Sequence, residues 1–174
     1  MIEPVRIVAD WLKDATHGVN AKLATVPRDG GDAQPPAVTV YDETRDDRIA
    51  RGRVADPEDT LPAVYVTLRN AALLPESQVM DDGFFNADLL IRYVTRQSDA
   101  SRAKQEAFYT LRAAAWSVRR LHRLDGSHAS RIRNSVALTR VLTVSYEPTL
   151  EEVEDALLVG TLIVPCEWRD FGTN

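Results

Sequence analysis

The chain has 174 residues, 44% of them hydrophobic, with 21 Lys and Arg against 26 Asp and Glu, a net charge of −5. That is enough for one hydrophobic core and short for two, so a single domain over residues 1–174 is expected. The acidic balance excludes a general attraction for nucleic acid, the lone Cys166 excludes an internal disulfide or a multi-cysteine zinc site, and no apolar run reaches the ~20 residues that cross a bilayer.

The N-terminal stretch MIEPVRIVADWLKDA carries charges where a signal peptide would be apolar, so synthesis in the cytoplasm is expected, with no membrane partner. Pro4 suits a first helical turn. Val5, Val8, Trp11, Leu12, Ala15, Val19 and Leu23 then recur at spacings of three and four, which predicts one amphipathic helix, loosened at Gly18. The segment PRDGGDAQPP ends it as a loop.

Strands are expected at 37–41, 61–69 and about 84–96. The third is the clearest, because Leu89, Ile91 and Tyr93 alternate with Asp88, Leu90, Arg92 and Val94 as in a strand with one buried face. Between the first two lies DETRDDRIARGRVADPED, residues 42–59, with seven acids, four arginines and only Ile49 and Val54 as sizeable apolar side chains. A hairpin needs a loop of about two to five residues, and a segment this polar cannot form a core of its own. The expectation is an arm that extends from the domain to make contacts, or else a tolerated surface insertion. Arg45, Asp46, Asp47, Arg48, Arg51 and Arg53 are its candidate contact residues.

The period then changes. From Ser98 or Asp99, either of which can cap, Ala107, Phe108, Leu111, Ala114, Ala115, Val118 and Leu121 mark one face of a helix that Gly126 stops. Ala113, Ala114 and Ala115 would let it approach a sheet closely, and Trp116 would fill space at one edge. Strands at 136–147 and 157–171 close the chain, joined by PTLEEVEDA, where Thr149 and Glu152 have capping-box spacing and suggest a helical turn. Pro165 lacks a ladder donor, which argues that the last strand is at an edge or carries a bulge. The order α-β-β-β-α-β-β predicts an α+β domain: a mainly antiparallel sheet of about five strands, two main helices on one face, and a long loop between the first two strands.

Chemistry is sparse. There is no Walker loop, G-x-G-x-x-G, H-E-x-x-H or G-x-S-x-G, and no cofactor is implied. His122, Asp125, Ser127 and His128 lie together in HRLDGSH, but a helix end followed by a turn favours these residue types for capping alone. His17 reads as surface punctuation of the first helix. Cys166 stands at strand spacing with Leu162, Val164 and Trp168, where a small buried hydrophobe is expected.

The charges are more informative. Arg119, Arg120, Arg123, Arg131 and Arg133 face one acid, Asp125, between 119 and 133, whereas Glu147, Glu151, Glu152, Glu154 and Asp155 have no base among them. Two such segments can be solvated turns, or they can face each other across copies, because a head-to-tail contact joins different surfaces of one chain. A nucleic-acid patch on the arginines is a third reading, weakened by the acidic chain and by the lack of aromatics among residues 119–133.

The amphipathic first helix, the long excursion between early strands, the strand that runs into the Ala-rich helix in ADLLIRYVTRQSDASRAKQEAFYTLRAAAWSVRRL, and the closing GTLIVPCEWRD together resemble the tail terminator and tail completion proteins of tailed bacteriophages. The resemblance covers nearly the whole chain. It implies a virion protein without catalytic residues: a ring, typically a hexamer, that caps the finished tail tube and meets a head-completion or neck protein. DNA would pass through its lumen without specific binding. The alternatives are another neck or head-completion connector, a small α+β enzyme using His122, Asp125 and His128, or a nucleic-acid-binding module on the 119–133 arginines.

Overall fold

The structure, a computed structural model, describes residues 3–42, 55, 59–73, 83–123, 132–133, 136–142, 149–153 and 157–170; at 70–73, 122–123, 132–133 and 149–153 the description is of backbone only. Among them are three helices, α1 (Glu3–Lys13), α2 (Val19–Leu23) and α3 (Ala100–Arg123). Seven strands form one sheet: β1 (Thr39–Asp42), β2 (Ala63–Leu73), β3 (Gly83–Thr95), β4 (Ile132–Arg133), β5 (Val136–Val141), β6 (Thr149–Val153) and β7 (Leu157–Asp170). Their order is β1-β2-β3-β7-β5-β4, with β6 also on β7. The fold is the expected α+β class, and every strand pair is antiparallel except β1 with β2.

That exception explains the length of the 42–59 segment. Thr39 to Asp42 pair in parallel with Ala63 to Val66, so the chain must travel back along β1 before β2 can begin. Parallel neighbours need a crossover of about a dozen residues or more, which no hairpin turn supplies. The hairpin comparison made from the sequence is therefore corrected. The return path is pinned at its end: Tyr65 Oη donates to Asp59 Oδ2 at 2.6 Å, Thr60 N–H donates to Tyr41 Oη at 3.1 Å, and the Tyr41 and Tyr65 rings stack at 5.3 Å. Ala55 and Leu61 pack with Tyr41 against a small cluster of Ala63, Tyr65, Val94, Leu157 and Val159.

The first helix of the sequence reading is two helices. Asp14 Oδ1 accepts the N–H groups of Thr16 and His17, which turns the chain after α1. Gly18 then passes so close to the end of α1 that a Cβ would lie 2.3 Å from the Asp14 carbonyl oxygen. His17 is more than punctuation, since its ring stacks on Trp11 at 5.0 Å and 8°. Asn20 clamps the chain entering β1, donating to the Val38 carbonyl and accepting the Val38 N–H, both at 2.9 Å.

The core lies between helices and sheet. Leu89, Ile91 and Tyr93 of β3 and Leu162, Val164, Cys166 and Trp168 of β7 point into it, as alternation predicts. Ala113, Ala114 and Ala115 are fully buried, the small side chains that bring α3 close. Ser117 locks α1 to α3: its carbonyl accepts Trp11 Nε1–H at 2.7 Å and its hydroxyl donates to the His17 carbonyl at 2.7 Å. Phe108, read from the sequence as buried, sits at the core's margin with Trp116.

Two expectations for the C-terminal third are corrected. The TLEEV stretch, Thr149–Val153, is strand β6, paired from Thr149↔Thr161 to Val153↔Leu157, and forms no helical turn. Strand β7 is central, with β3 along one side and β5 and β6 sharing the other. Pro165 falls in the seam between those two. Its carbonyl accepts Leu142 N–H at 2.9 Å, and because a strand residue's N–H and C=O point the same way, its missing donor faces the seam and costs no bond to β3. The bulge is on β5, where the register shifts between Leu138 and Arg140; Thr139 Oγ1 bonds there to Glu167 O at 3.0 Å.

Candidate assembly surfaces

Helix α3 carries six Lys and Arg and one acid, Glu106. Asp99 is its cap, with Oδ1 accepting the N–H of Ser101 and Arg102. Glu106 is consumed locally: it is buried, takes Arg102 Nε–H at 2.9 Å and receives the Tyr93 hydroxyl at 3.2 Å. Burial, reinforced by the Glu106 carboxylate, pushes the Tyr93 phenol far above its ordinary pKa. No acid on the helix offsets its remaining cations.

Arg119 and Arg120 are exposed on α3, as the sequence reading required. Arg123 ends that helix, Arg133 lies in β4, and Glu151 and Glu152 lie in β6, all four placed by backbone alone. Arg131, Glu154 and Asp155 lie outside the described residues, as do Arg45, Asp46, Asp47, Arg48, Arg51, Arg53, Asp125, Ser127 and His128. His122 is in α3, by backbone only.

The sequence reading missed the aromatic part of the α3 surface. Positions 105, 108, 112, 116 and 119 recur every three or four residues on one side of the helix. Phe108, Arg112 and Trp116 are half-buried there, and the Arg112 guanidinium lies over the Trp116 ring, 4.7 Å from its centroid. Their four-residue spacing was available in the sequence. It was hidden because Phe108 had been assigned to the core.

The sheet face away from the helices is mixed in character. Phe84, Asn86, Asp88, Leu90 and Arg92 of β3 meet Arg169, Glu167, Pro165, Ile163 and Thr161 of β7, all half-buried. Arg169 lies over the Phe84 ring at 5.4 Å. At the start of α3 an open cleft of about 450 Å³ is lined by Pro36, Asp59, Pro62, Arg96, Arg102 and Glu106. Its carboxylates are engaged with Tyr65, Tyr93 and Arg102.

On the other side of α3, the Tyr109 hydroxyl donates to Asp32 Oδ2 at 2.6 Å and accepts Asp29 N–H at 3.1 Å, which fastens the DGGD turn to the helix. The Asp32 hydrogen bond raises the Tyr109 pKa. Cys166 is buried, and desolvation with Asp88 nearby pushes its thiol up to about 12, so it stays protonated near neutrality. Among the described residues no three His, Cys, Asp or Glu side chains gather as a metal site, and no helix is long and apolar enough to cross a membrane.

No family model matches the chain, and no curated protein matches its sequence. A chain in the solved virion of a native gene transfer agent (GTA) particle is a weak structural neighbour. It is 19% identical, with a TM-score of 0.40, and the alignment covers 93% of this chain and 91% of that one.

Proposed function

We propose that the protein is a structural component of a tailed-phage-like virion, a tail terminator whose copies form a ring, six in number, that caps the tail tube and joins it to a head-completion or neck protein. The observation that carries this reading is the order of elements. An amphipathic N-terminal helix, a strand that leads directly into an Ala-rich helix, and a long closing strand are the elements on which the sequence resembles tail terminators.

The surfaces suit such a role. One sheet face mixes apolar and charged half-buried groups, and the third helix is basic on its outer side while the chain as a whole is acidic. An acidic total charge also suits a lumen through which DNA slides without sticking, since carboxylates repel phosphates. The charged 42–59 segment, required by the crossover, offers Arg45, Asp46, Asp47, Arg48, Arg51 and Arg53 to a neighbouring copy or the tube.

Electron microscopy of tail tubes incubated with the purified protein tests this. The expected result is a ring of added density at one end of each tube and a native mass that is a multiple of 19.4 kDa. Tubes that stay bare, with a protein that stays monomeric beside them, would overturn it.

A further inference from the structure

The cationic and anionic segments lie at opposite ends of the molecule. Strand β6 pairs with Leu157–Thr161 of β7, which in turn pair with Arg92–Thr95 of β3. After four intervening residues α3 begins, so the acidic segment and the start of α3 share one end. Helix α3 has 24 residues, about 36 Å at 1.5 Å per residue, and after eight intervening residues the chain reaches β4. Strand β4 pairs with Val136–Ala137, which sit against Arg169–Asp170 and hence Gly83–Phe84, the far end of β3. Arg119 and Arg120 are at that far end. Attraction between the two segments is therefore met between molecules, head to tail.

From this we infer that the outer stripe of α3, Phe108, Arg112, Trp116, Arg119 and Arg120, is the seat for residues 147–155 of a second copy. This rests on the ring reading and specifies its contact. The occupant is chosen by charge: the stripe holds three cations and no acid, and residues 147–155 hold five acids and no base. The segment also carries two apolar residues, Leu150 and Val153, among its acids. Trp and Arg are the side chains that most often dominate interface energetics, and Arg112 is already stacked on its tryptophan, so little rotamer freedom is lost on contact. A contact between different surfaces closes into a ring when the rotation between copies permits.

The test is a charge-swap pair read by sedimentation. Arg119→Glu/Arg120→Glu places acids against acids, and Glu151→Lys/Glu152→Lys places bases against bases. Each variant alone should weaken self-association about tenfold or more while its circular dichroism stays that of the wild type. An equimolar mixture should assemble again, because each variant then meets a complementary neighbour. In fluorescence, assembly should shift emission to the blue, and Trp116→Phe should abolish the shift, since Trp11 and Trp168 are already fully buried.

Variants that assemble like the wild type, or a mixture that does not recover, overturn the inference and leave the ring reading standing. A wild type that never associates, even on tube ends, removes both. Arginine reversal that abolishes salt-sensitive DNA binding and leaves the mass unchanged would assign the stripe to nucleic acid, which also overturns the inference.

Discussion

Neighbouring residues of β7 meet opposite environments. Leu162, Val164, Cys166 and Trp168 are at most 2% exposed beneath the helices, whereas Ile163, Pro165, Glu167 and Arg169, one step along the same strand, are half-buried on the other face. The first set is uniformly apolar and the second mixes charge, proline and one aliphatic side chain. One face is constrained by packing, where a lost methylene leaves a void. The other is constrained by whatever it touches, and tolerates substitution within the isolated chain.

The contrast should be largest at Trp168. Trp168→Ala is expected to cost about 3–5 kcal/mol in denaturant unfolding, because the indole fills the core between β7 and the helices. A loss under about 1 kcal/mol would show the helix face to be loosely packed. Next, Leu162→Ala should cost about 2–5 kcal/mol and its neighbour Ile163→Ala less than half as much. Equal losses would mean that Ile163 is covered, and the two-face contrast would fail.

Smaller is the clamp on the chain before β1. Asn20→Ala removes both bonds to Val38 and should cost about 1–3 kcal/mol, lowering the melting temperature. Smallest is the acid response of the α1–α2 turn. The backbone N–H groups of His17 and Thr16 hold Asp14 below its ordinary carboxylate range. Its contribution is present above the unfolded pKa near 3.8 and is lost as pH falls through the lower folded value. Asp14→Asn should flatten the stability profile below about pH 4, and an unchanged profile would rule this out. At the alkaline end the sign reverses. The Cys166 thiol is raised to about 12 from 9.0, so its contribution is whole below pH 9 and disappears as pH rises toward 12, an effect Cys166→Ala should remove.

Much of the fold was legible because periodicity is local. Strand β3 was expected at 84–96 and runs from Gly83 to Thr95, and α3 begins after one of its two named caps. What was not legible depends on distant partners. The TLEEV stretch has capping-box spacing and two glutamates, a helical signal by itself, and becomes strand because β7 offers an unpaired edge there. The parallel pairing of β1 with β2 leaves no trace in either strand's alternation, so the long crossover looked like surplus. Gly18 was seen as a loosening, but the Asp14 turn that makes it necessary depends on geometry three to four residues apart.

The candidate surfaces divide the same way. Arg119 and Arg120 could be named from sequence because exposed charge is a composition signal. Phe108 and Trp116 could not, since an aromatic on a helix flank reads as core until the packing shows which flank is covered. The relation between the cationic and anionic ends emerges only when strand register sets their separation.

Strands β5 and β6 follow the same direction along one side of β7, β5 ending at Val141 opposite Cys166 and β6 starting at Thr149 opposite Thr161, and a sequence link joins them across the position of Pro165. Extra residues accepted at that link would leave both pairings untouched, since neither register is measured across it. An epitope or dye-binding peptide spliced in there should therefore leave the sheet intact and give a handle for tracking the protein.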